Sequence, residues 1–564
     1  MGLPMIMPML MKDRIAQLAA QAVEQAQKDG VLPLGPIPEI EVERPQNTEH
    51  GDFAVSLPLR LARTARMAPM TIAERLVPLI PGDDLIVRVW AAPPGFINFA
   101  VSEQWLKQQV ETVLEQGEAY GNVRRDSPQR VQVEFVSVNP TGPLHVGHAR
   151  GAVLGSGLAN ILQAAGYDVN REYYINDAGS QMDAFYRSLY VRYQQALGRD
   201  TPMPENGYMG SYMQELAKEI VTEDGERFLE MPEAEAVSQI GQTGLKKMLD
   251  MIRHDLDRIQ VEFDVWFSES SLQQSGEYDE TIDLLRHNGY LAEREGATWL
   301  TSTNLGEDKD NVLVRRTGEP TYFATDIAYH KNKFLARGFD RVINIWGADH
   351  QGHVSRMKAA MGALGVDPDR LTIIISQMVT LKRGQDLVPM SKRAGEIVTL
   401  RELVDEVGPD ACRFFFLSRT PESQMDFDLD LAKEESARNP VYYVQYAHAR
   451  IAGIMRLAQE RSLDYKLGDV SLLMDQAEIA LIKKMLQLPE LIDQMARKLE
   501  PHHLPHYATE LATAFHWFYQ QCRVISDEPD DKAITLSRLK LVDASRTVLA
   551  RCLTIMGMSA PQRM

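Results

Sequence analysis

The residues best suited to chemistry lie in one run, Asn139-Pro140-Thr141-Gly142-Pro143-Leu144-His145-Val146-Gly147-His148, where an apolar stretch gives way to a helical pattern. A helix that follows a parallel strand offers unpaired backbone N–H groups and the positive end of its dipole, a setting that suits phosphate. Imidazole donors at that end would stabilise charge as it builds on phosphate oxygens during attack on an α-phosphorus. Gly147, lacking a side chain, would let an adenine ring lie against the backbone. Taken singly, His145 and His148 also fit a plainer reading as hydrogen-bonded histidines at a helix start. A zinc pair fits less well, because helical metal pairs usually sit at i and i+4 and no nearby carboxylate completes the set.

A second run, Pro389-Met390-Ser391-Lys392-Arg393-Ala394-Gly395, follows a β-rich stretch. A mobile loop carrying Lys392 and Arg393 would clamp the β- and γ-phosphates and stabilise departing pyrophosphate. Alone it reads equally well as a basic surface loop. The order of the two runs gives them meaning together.

Elements must bring these runs to one place. A strand over 131–138, a helix near 149 with Leu154, Leu158, Ile161, Leu162 and Ala165 on one face, and a strand Asp168 to Ile175 spell βαβ, the unit of a parallel sheet. Alternation resumes with Arg341 to Trp346, a helix His353 to Leu364, and the β-rich run Leu371 to Leu381. Between these, about 190–300 reads as a mainly helical insertion. Ahead of them, a helix near 12–28 and short apolar runs Ile86 to Trp90 and Phe96 to Val101, parted by Pro93-Pro94-Gly95, describe a small α+β unit. After 400 the pattern is helical, with segments near 401–418, 440–460, 475–499, 504–526 and 534–556. The expected fold class is α/β: a Rossmann-like domain over 121–399, a small α+β domain over 1–120 and an all-α domain over 400–564.

The chain of 564 residues is 44% hydrophobic and has room for several cores. Its net charge of −18 argues against holding polyanions through an unfocused positive field, so nucleic-acid contacts must be local. Cys412, Cys522 and Cys552 lack paired spacing, which points to reduced thiols, a cytoplasmic setting and no metal site of cysteine type. The apolar start is broken by Pro4 and Pro8 and lacks a basic n-region, so it reads as a leader before Met11 and not a signal peptide; Ile6 stands where myristoylation needs Ser or Thr. No membrane span is expected.

Set in this frame, the chain resembles a class I aminoacyl-tRNA synthetase, whose signatures are His-x-Gly-His and Lys-Met-Ser-Lys-Ser. His145–His148 match the first fully. In the second, Pro389 and Arg393 replace the outer lysine and serine, while Met390, Ser391 and Lys392 remain. The resemblance is nearest to arginyl-tRNA synthetases and spans nearly the whole chain: His50 to Ala54, Pro94 to Phe99, Glu134 to Ala149, Tyr173 to Gly179, Tyr322 to Asp326, Gly347 to His350, Asp410 to Arg413 and Pro561 to Met564.

That resemblance implies L-arginine, ATP and tRNA(Arg) as substrates, with Mg2+, in a protein expected to be monomeric. It implies catalysis by His145, His148 and Lys392, and ATP contacts from Asn139, Gly147, Gly347, Met390 and Ser391. A guanidinium is planar, permanently charged and fork-shaped, and asks for carboxylates beside an aromatic face. By resemblance Asp168, Tyr173, Tyr322, Asp326 and Asp349 lie near it, with Glu134 and Asn139 at the amino end. Rejecting lysine by leaving buried partners unpaired removes the need for an editing domain. The small N-terminal domain would meet the tRNA elbow through Phe96 and Asn98. The helical domain would read the anticodon, with Tyr446, Tyr519, Arg523 and Met564 as stacking and guanidinium groups. Two other functions share parts of the pattern. A small-molecule nucleotidyltransferase gives no reason for the helices after 400, and a silent tRNA-binding relative gives none for keeping His145, His148 and Lys392.

Overall fold

A computed structural model of the chain describes residues 10–45, 47–388 and 398–564. Its centre is a parallel sheet in the order Leu371–Ser376, Arg341–Gly347, Arg130–Glu134, Asp168–Ile175, Val265–Ser268. The order reverses at Arg130–Glu134, whose chain crosses to one side first and to the other later. The carboxyl ends at such a switch point diverge and leave a crevice for ligands.

The helix Val146–Ala164 covers this crevice's floor and is buried on nearly every side, beyond the single face expected from its leucines. Its second surface is taken by elements from the chain's last third. Asn160 donates to the Ile555 carbonyl at 3.0 Å, and a Cβ on Gly157 would stand 2.7 Å from Leu417. Toward the sheet, a Cβ on Gly155 would come within 2.1 Å of Phe135, so only glycine permits that approach. Arg150, fully buried one turn into the helix, donates to the carbonyls of Gln377, Thr420 and Ser423.

The strand expected over 131–138 stops at Glu134, because Val136 and Ser137 adopt left-handed backbone with φ of 68° and 43°. That conformation is costly for a β-branched residue and turns the chain sharply out of the sheet. The helical insertion ends earlier than expected. Helices Ser180–Ala196, Ser211–Asp224 and Glu233–Asp257 pack together, after which Val265–Ser268 joins the main sheet and residues 291–314 form a three-stranded antiparallel sheet.

The N-terminal unit opens with the helix Met11–Lys28 and holds a four-stranded antiparallel sheet in which Phe96–Val101 is central. After 400 the chain is not all helix. Met425–Asp428 pairs in parallel with Val379–Arg383. The expected run 401–418 splits at Gly408-Pro409, and 475–499 splits before Leu488-Pro489, since proline cannot supply the next backbone N–H. Pro440–Glu460, His503–Gln521 and Lys532–Met556 complete the bundle.

Candidate active site

His145 is the N-cap residue of the helix Val146–Ala164. Its Nδ1 accepts from the Gly147 N–H at 3.1 Å, while its own N–H donates to Nδ1 of His148 at 3.3 Å. The rings stack with centroids 3.4 Å apart. With both Nδ1 atoms acting as acceptors, each neutral ring carries its proton on Nε2. Burial holds both imidazoles below their ordinary range, and for His148 burial and then the neighbouring His145 bring the value to about 3. At neutral pH the pair offers uncharged N–H donors to a phosphate. A Cβ on Gly147 would stand 2.9 Å from the His145 ring. The imidazole thus packs against Gly147 on the side where a larger residue would carry its side chain.

The residues Met390, Ser391, Lys392 and Arg393 lie outside the described residues. The chain resumes beside the histidines: the Val146 N–H donates to the Val398 carbonyl at 3.2 Å, and the Leu400 N–H to the Leu144 carbonyl at 2.8 Å.

Strand parity separates two adjacent tyrosines. Tyr173 is fully buried, stacks on Trp266 with centroids 4.4 Å apart and donates to the Val138 carbonyl at 3.0 Å. It braces the loop leading to Asn139 and packs away from the crevice. Tyr174 points to the opposite face, against Tyr329, and its N–H donates to Ser137 Oγ at 3.1 Å.

On that face carboxylates gather. The helix Tyr322–Lys331 sets Tyr322 and Asp326 one turn apart; the Tyr322 ring is half exposed and its hydroxyl accepts from Asn176 Nδ2 at 3.2 Å. Burial, then Glu134 and Glu269, hold the Asp326 carboxyl well above the ordinary carboxylate range, against Arg356 and Lys333. Glu269 immediately follows the strand Val265–Ser268, and sequence reasoning passed over it. Burial and then Asp177 push its carboxyl up to about 7, and one of its oxygens has no hydrogen-bond partner among the described residues. Buried like charges of this kind are costly until a cation arrives. A planar guanidinium can meet two such carboxylates at once with Tyr322 beside it.

The remaining sites fall as follows. Asn139 donates to Gln181 Oε1 near the start of the helix Ser180–Ala196. Gly347 ends the strand next to Arg130–Glu134, and the exposed Asp349 stands 3.4 Å from His350 Nε2. Glu134, expected at the amino end, is buried and paired with Lys333. Asp168 is not part of the pocket. It begins its strand at the opposite end of the sheet, exposed, 3.8 Å from Arg130 Nε. Tyr173 and Asp168 show the same limit: neither strand direction nor facing side can be fixed from local sequence alone.

The family model described as tRNA synthetases class I (R), catalytic domain, matches residues 109–462. An arginine–tRNA ligase of Dehalococcoides mccartyi is 57% identical over 553 residues, covering 98% of this chain and 99% of that one. The chain belongs to the arginyl-tRNA synthetase family. An arginine–tRNA ligase of Heliobacterium modesticaldum is 49% identical over 98% of each chain. The models described as Arginyl tRNA synthetase N terminal domain and DALR anticodon binding domain match 13–101 and 444–564. The Thermus thermophilus arginyl-tRNA synthetase shares the fold, with a TM-score of 0.78 at 22% identity over 98% of this chain and 100% of that one.

Of the residues that the arginyl-tRNA synthetase resemblance assigns to tRNA, Phe96 is half-buried and Asn98 is buried in the N-terminal sheet opposite Ala54 and Trp90. In the helical bundle, Tyr446 stacks on Tyr442 with planes 9° from parallel. Arg450, unnoticed in the sequence, donates to the Tyr446 hydroxyl at 2.8 Å and lies 5.3 Å from the Tyr519 ring centroid. Beside them a cavity of about 280 Å³ is lined by Tyr442, Tyr443, Tyr446, Arg450, His516 and Gln520. Arg523 lies past the end of the helix carrying Tyr519, bonded to the Ile525 carbonyl, so the pair is not on one helical face. Met564 is exposed, on a tail held where His448 meets the Pro561 carbonyl at 2.9 Å.

Proposed function

We propose that the chain ligates L-arginine to tRNA(Arg) in two steps at the crevice between the strands Arg130–Glu134 and Arg341–Gly347. In the first, the arginine carboxylate attacks the α-phosphorus of ATP in line and pyrophosphate departs, giving arginyl-adenylate. In the second, a hydroxyl of the terminal adenosine of the tRNA attacks the adenylate carbonyl and AMP departs. His145 and His148 donate through Nε2–H to phosphate oxygens as charge builds, and Lys392 receives the pyrophosphate end. The return of the chain at Val398 beside Val146 supports bringing that loop to the same triphosphate. Asp326 and Glu269 take the guanidinium, with Tyr322 against its face. Catalysis is orientation and electrostatics, without a covalent protein nucleophile.

Among the described residues no three His, Cys, Asp or Glu side chains converge as a metal site. Mg2+ is assigned to the phosphates of the incoming Mg·ATP, as substrate. Phe96, Asn98, Tyr446, Tyr519, Arg523 and Met564 are assigned to tRNA, with Arg450 added beside Tyr446. A cytoplasmic monomer is the setting proposed; among the described residues no helix is long and apolar enough to cross a membrane.

The buried carboxylate cluster under Tyr322 is the observation that carries the choice of amino acid. It is tested by arginine-dependent ATP–pyrophosphate exchange, with and without tRNA, in the parent and Asp326→Asn. The variant should lose arginine use while its ATP KM holds; unchanged arginine kinetics would remove Asp326 from the pocket.

A further inference from the structure

Behind the carboxylates runs a buried polar chain that the two-step reaction does not use. The helix Tyr322–Lys331 continues as a π-helical turn, Asn332–Ala336, a widening often found at functional sites. It carries the fully buried Lys333. Lys333 Nζ lies 2.5 Å from Glu134 Oε2, 3.1 Å from Asn344 Oδ1 and 4.0 Å from the Tyr329 ring centroid. Asn344, which sits opposite Glu134 in the sheet register, donates through Nδ2 to His330 Nε2 at 2.8 Å. Nδ1 of His330 donates in turn to the main-chain carbonyl of Asp326 at 2.7 Å. One continuous path therefore joins the Glu134 carboxylate to the backbone that carries Asp326.

A second buried pair lies alongside, Arg337 with Glu172, which also accepts from the Tyr329 hydroxyl. The inner carboxylates thus have resident cations, whereas one oxygen of Glu269 has no hydrogen-bond partner among the described residues. A buried ion pair is weak evidence for stability, since apolar replacements often do as well, so its placement here calls for a reason beyond packing.

We propose that Lys333 is a positioning residue for arginine recognition: it holds the Glu134 side chain and, through Asn344 and His330, ties it to the Asp326 main chain, so the incoming guanidinium meets carboxylates of set spacing. The inference rests on the placement of arginine proposed above. Other charged or titratable groups face this path from every side: Asp326, Glu269, Glu172, Arg337, Arg356, Tyr174, Tyr322, Tyr329 and His330.

The experiment measures arginine KM, ATP KM and kcat in ATP–pyrophosphate exchange with saturating tRNA at one fixed pH, for the full-length parent, K333M, E134Q, E134Q/K333M and D326N. K333M should raise arginine KM about 10–100-fold, while ATP KM stays within about threefold. E134Q should raise arginine KM as well, and E134Q/K333M should be no worse than the worse single variant, because both act through one path. An unchanged arginine KM in K333M, single effects that multiply in the double variant, or equal damage to arginine and ATP parameters would overturn the proposal. D326N separates the two levels: an unchanged arginine KM there defeats the placement of arginine, whereas a raised one beside an unchanged K333M defeats only the role of Lys333. If K333M is insoluble, E134Q serves alone, with arginine KM raised and ATP KM held; an unchanged arginine KM would refute the role.

Discussion

Replacing Glu269 with glutamine removes one charge from the pocket while keeping the side chain's shape. Its carboxyl moves from 4.5 to about 7, chiefly through burial and then Asp177, which corresponds to about 3 kcal/mol at about 1.4 kcal/mol per pH unit. Between those two values the folded chain holds a proton that the unfolded chain has lost. This contribution to stability is therefore nil below the window, declines as pH rises through it, and leaves the empty pocket about 3 kcal/mol worse off above pH 7. A bound guanidinium favours the ionised form and reverses the shift, so Glu269's share of the protons released on arginine binding should be large near pH 6.5 and almost nil near pH 8.5. Glutamine should abolish Glu269's share of that release and weaken arginine binding about 30–100-fold, as expected for losing a charge-assisted contact of about 2–3 kcal/mol. Calorimetric titration of arginine in buffers of differing ionisation enthalpy reads both effects. Asp326 titrates in the same direction and Glu269 contributes to its shift, so the parent-minus-variant difference reads the loss of Glu269 together with its effect on Asp326. Arginine binding within twofold of the parent, or a proton release unaltered by the substitution, would refute the argument.

Three further outcomes follow from the geometry. His148→Ala should slow adenylate formation about 10²–10³-fold in single-turnover measurements, with tRNA affinity by filter binding nearly unchanged. Asp168→Ala should leave arginine KM within about twofold and stability within about 1 kcal/mol by denaturant titration, because that carboxylate is exposed and, among the described residues, pairs only with Arg130 at the far end of the sheet. Arg413→Met should cost about 3 kcal/mol or more by the same titration. The buried guanidinium donates to carbonyls of Ile259, Gln260 and Met556 and to Ser156 Oγ, all of which would lose a donor.

Much of the architecture could be read from the chain because its signals are local. The βαβ pattern around His145 and the amphipathic segments near 440–460, 504–526 and 534–556 correspond to observed elements. Asp168 to Ile175 is a strand over those very residues. Errors arose where long-range packing overrides local pattern. Val136 and Ser137 leave the sheet early, and Val265–Ser268 is claimed by the main sheet from inside what reads as a helical insertion. Met425–Asp428 becomes a strand because Val379–Arg383 offers it an edge.

The candidate site divides in the same way. His145, Gly147 and His148 are neighbours in sequence, and a helix start alone determines their mutual geometry. The proposed arginine side draws on Glu134, Glu269, Tyr322 and Asp326, which lie far apart along the chain. Their meeting depends on strand order, on which face each side chain takes, and on a π turn that brings Lys333 beneath them. The sequence by itself thus determined the family, the nucleotide signatures and the succession of elements, all encoded over a few neighbouring residues. Only the tertiary structure decided that Tyr173 and Tyr174 turn to opposite faces of their strand, that Asp168 lies exposed at the far end of the sheet, and that Glu269 comes near Asp326. Burial and the field of distant charges are properties of the packed chain, and no single segment carries them.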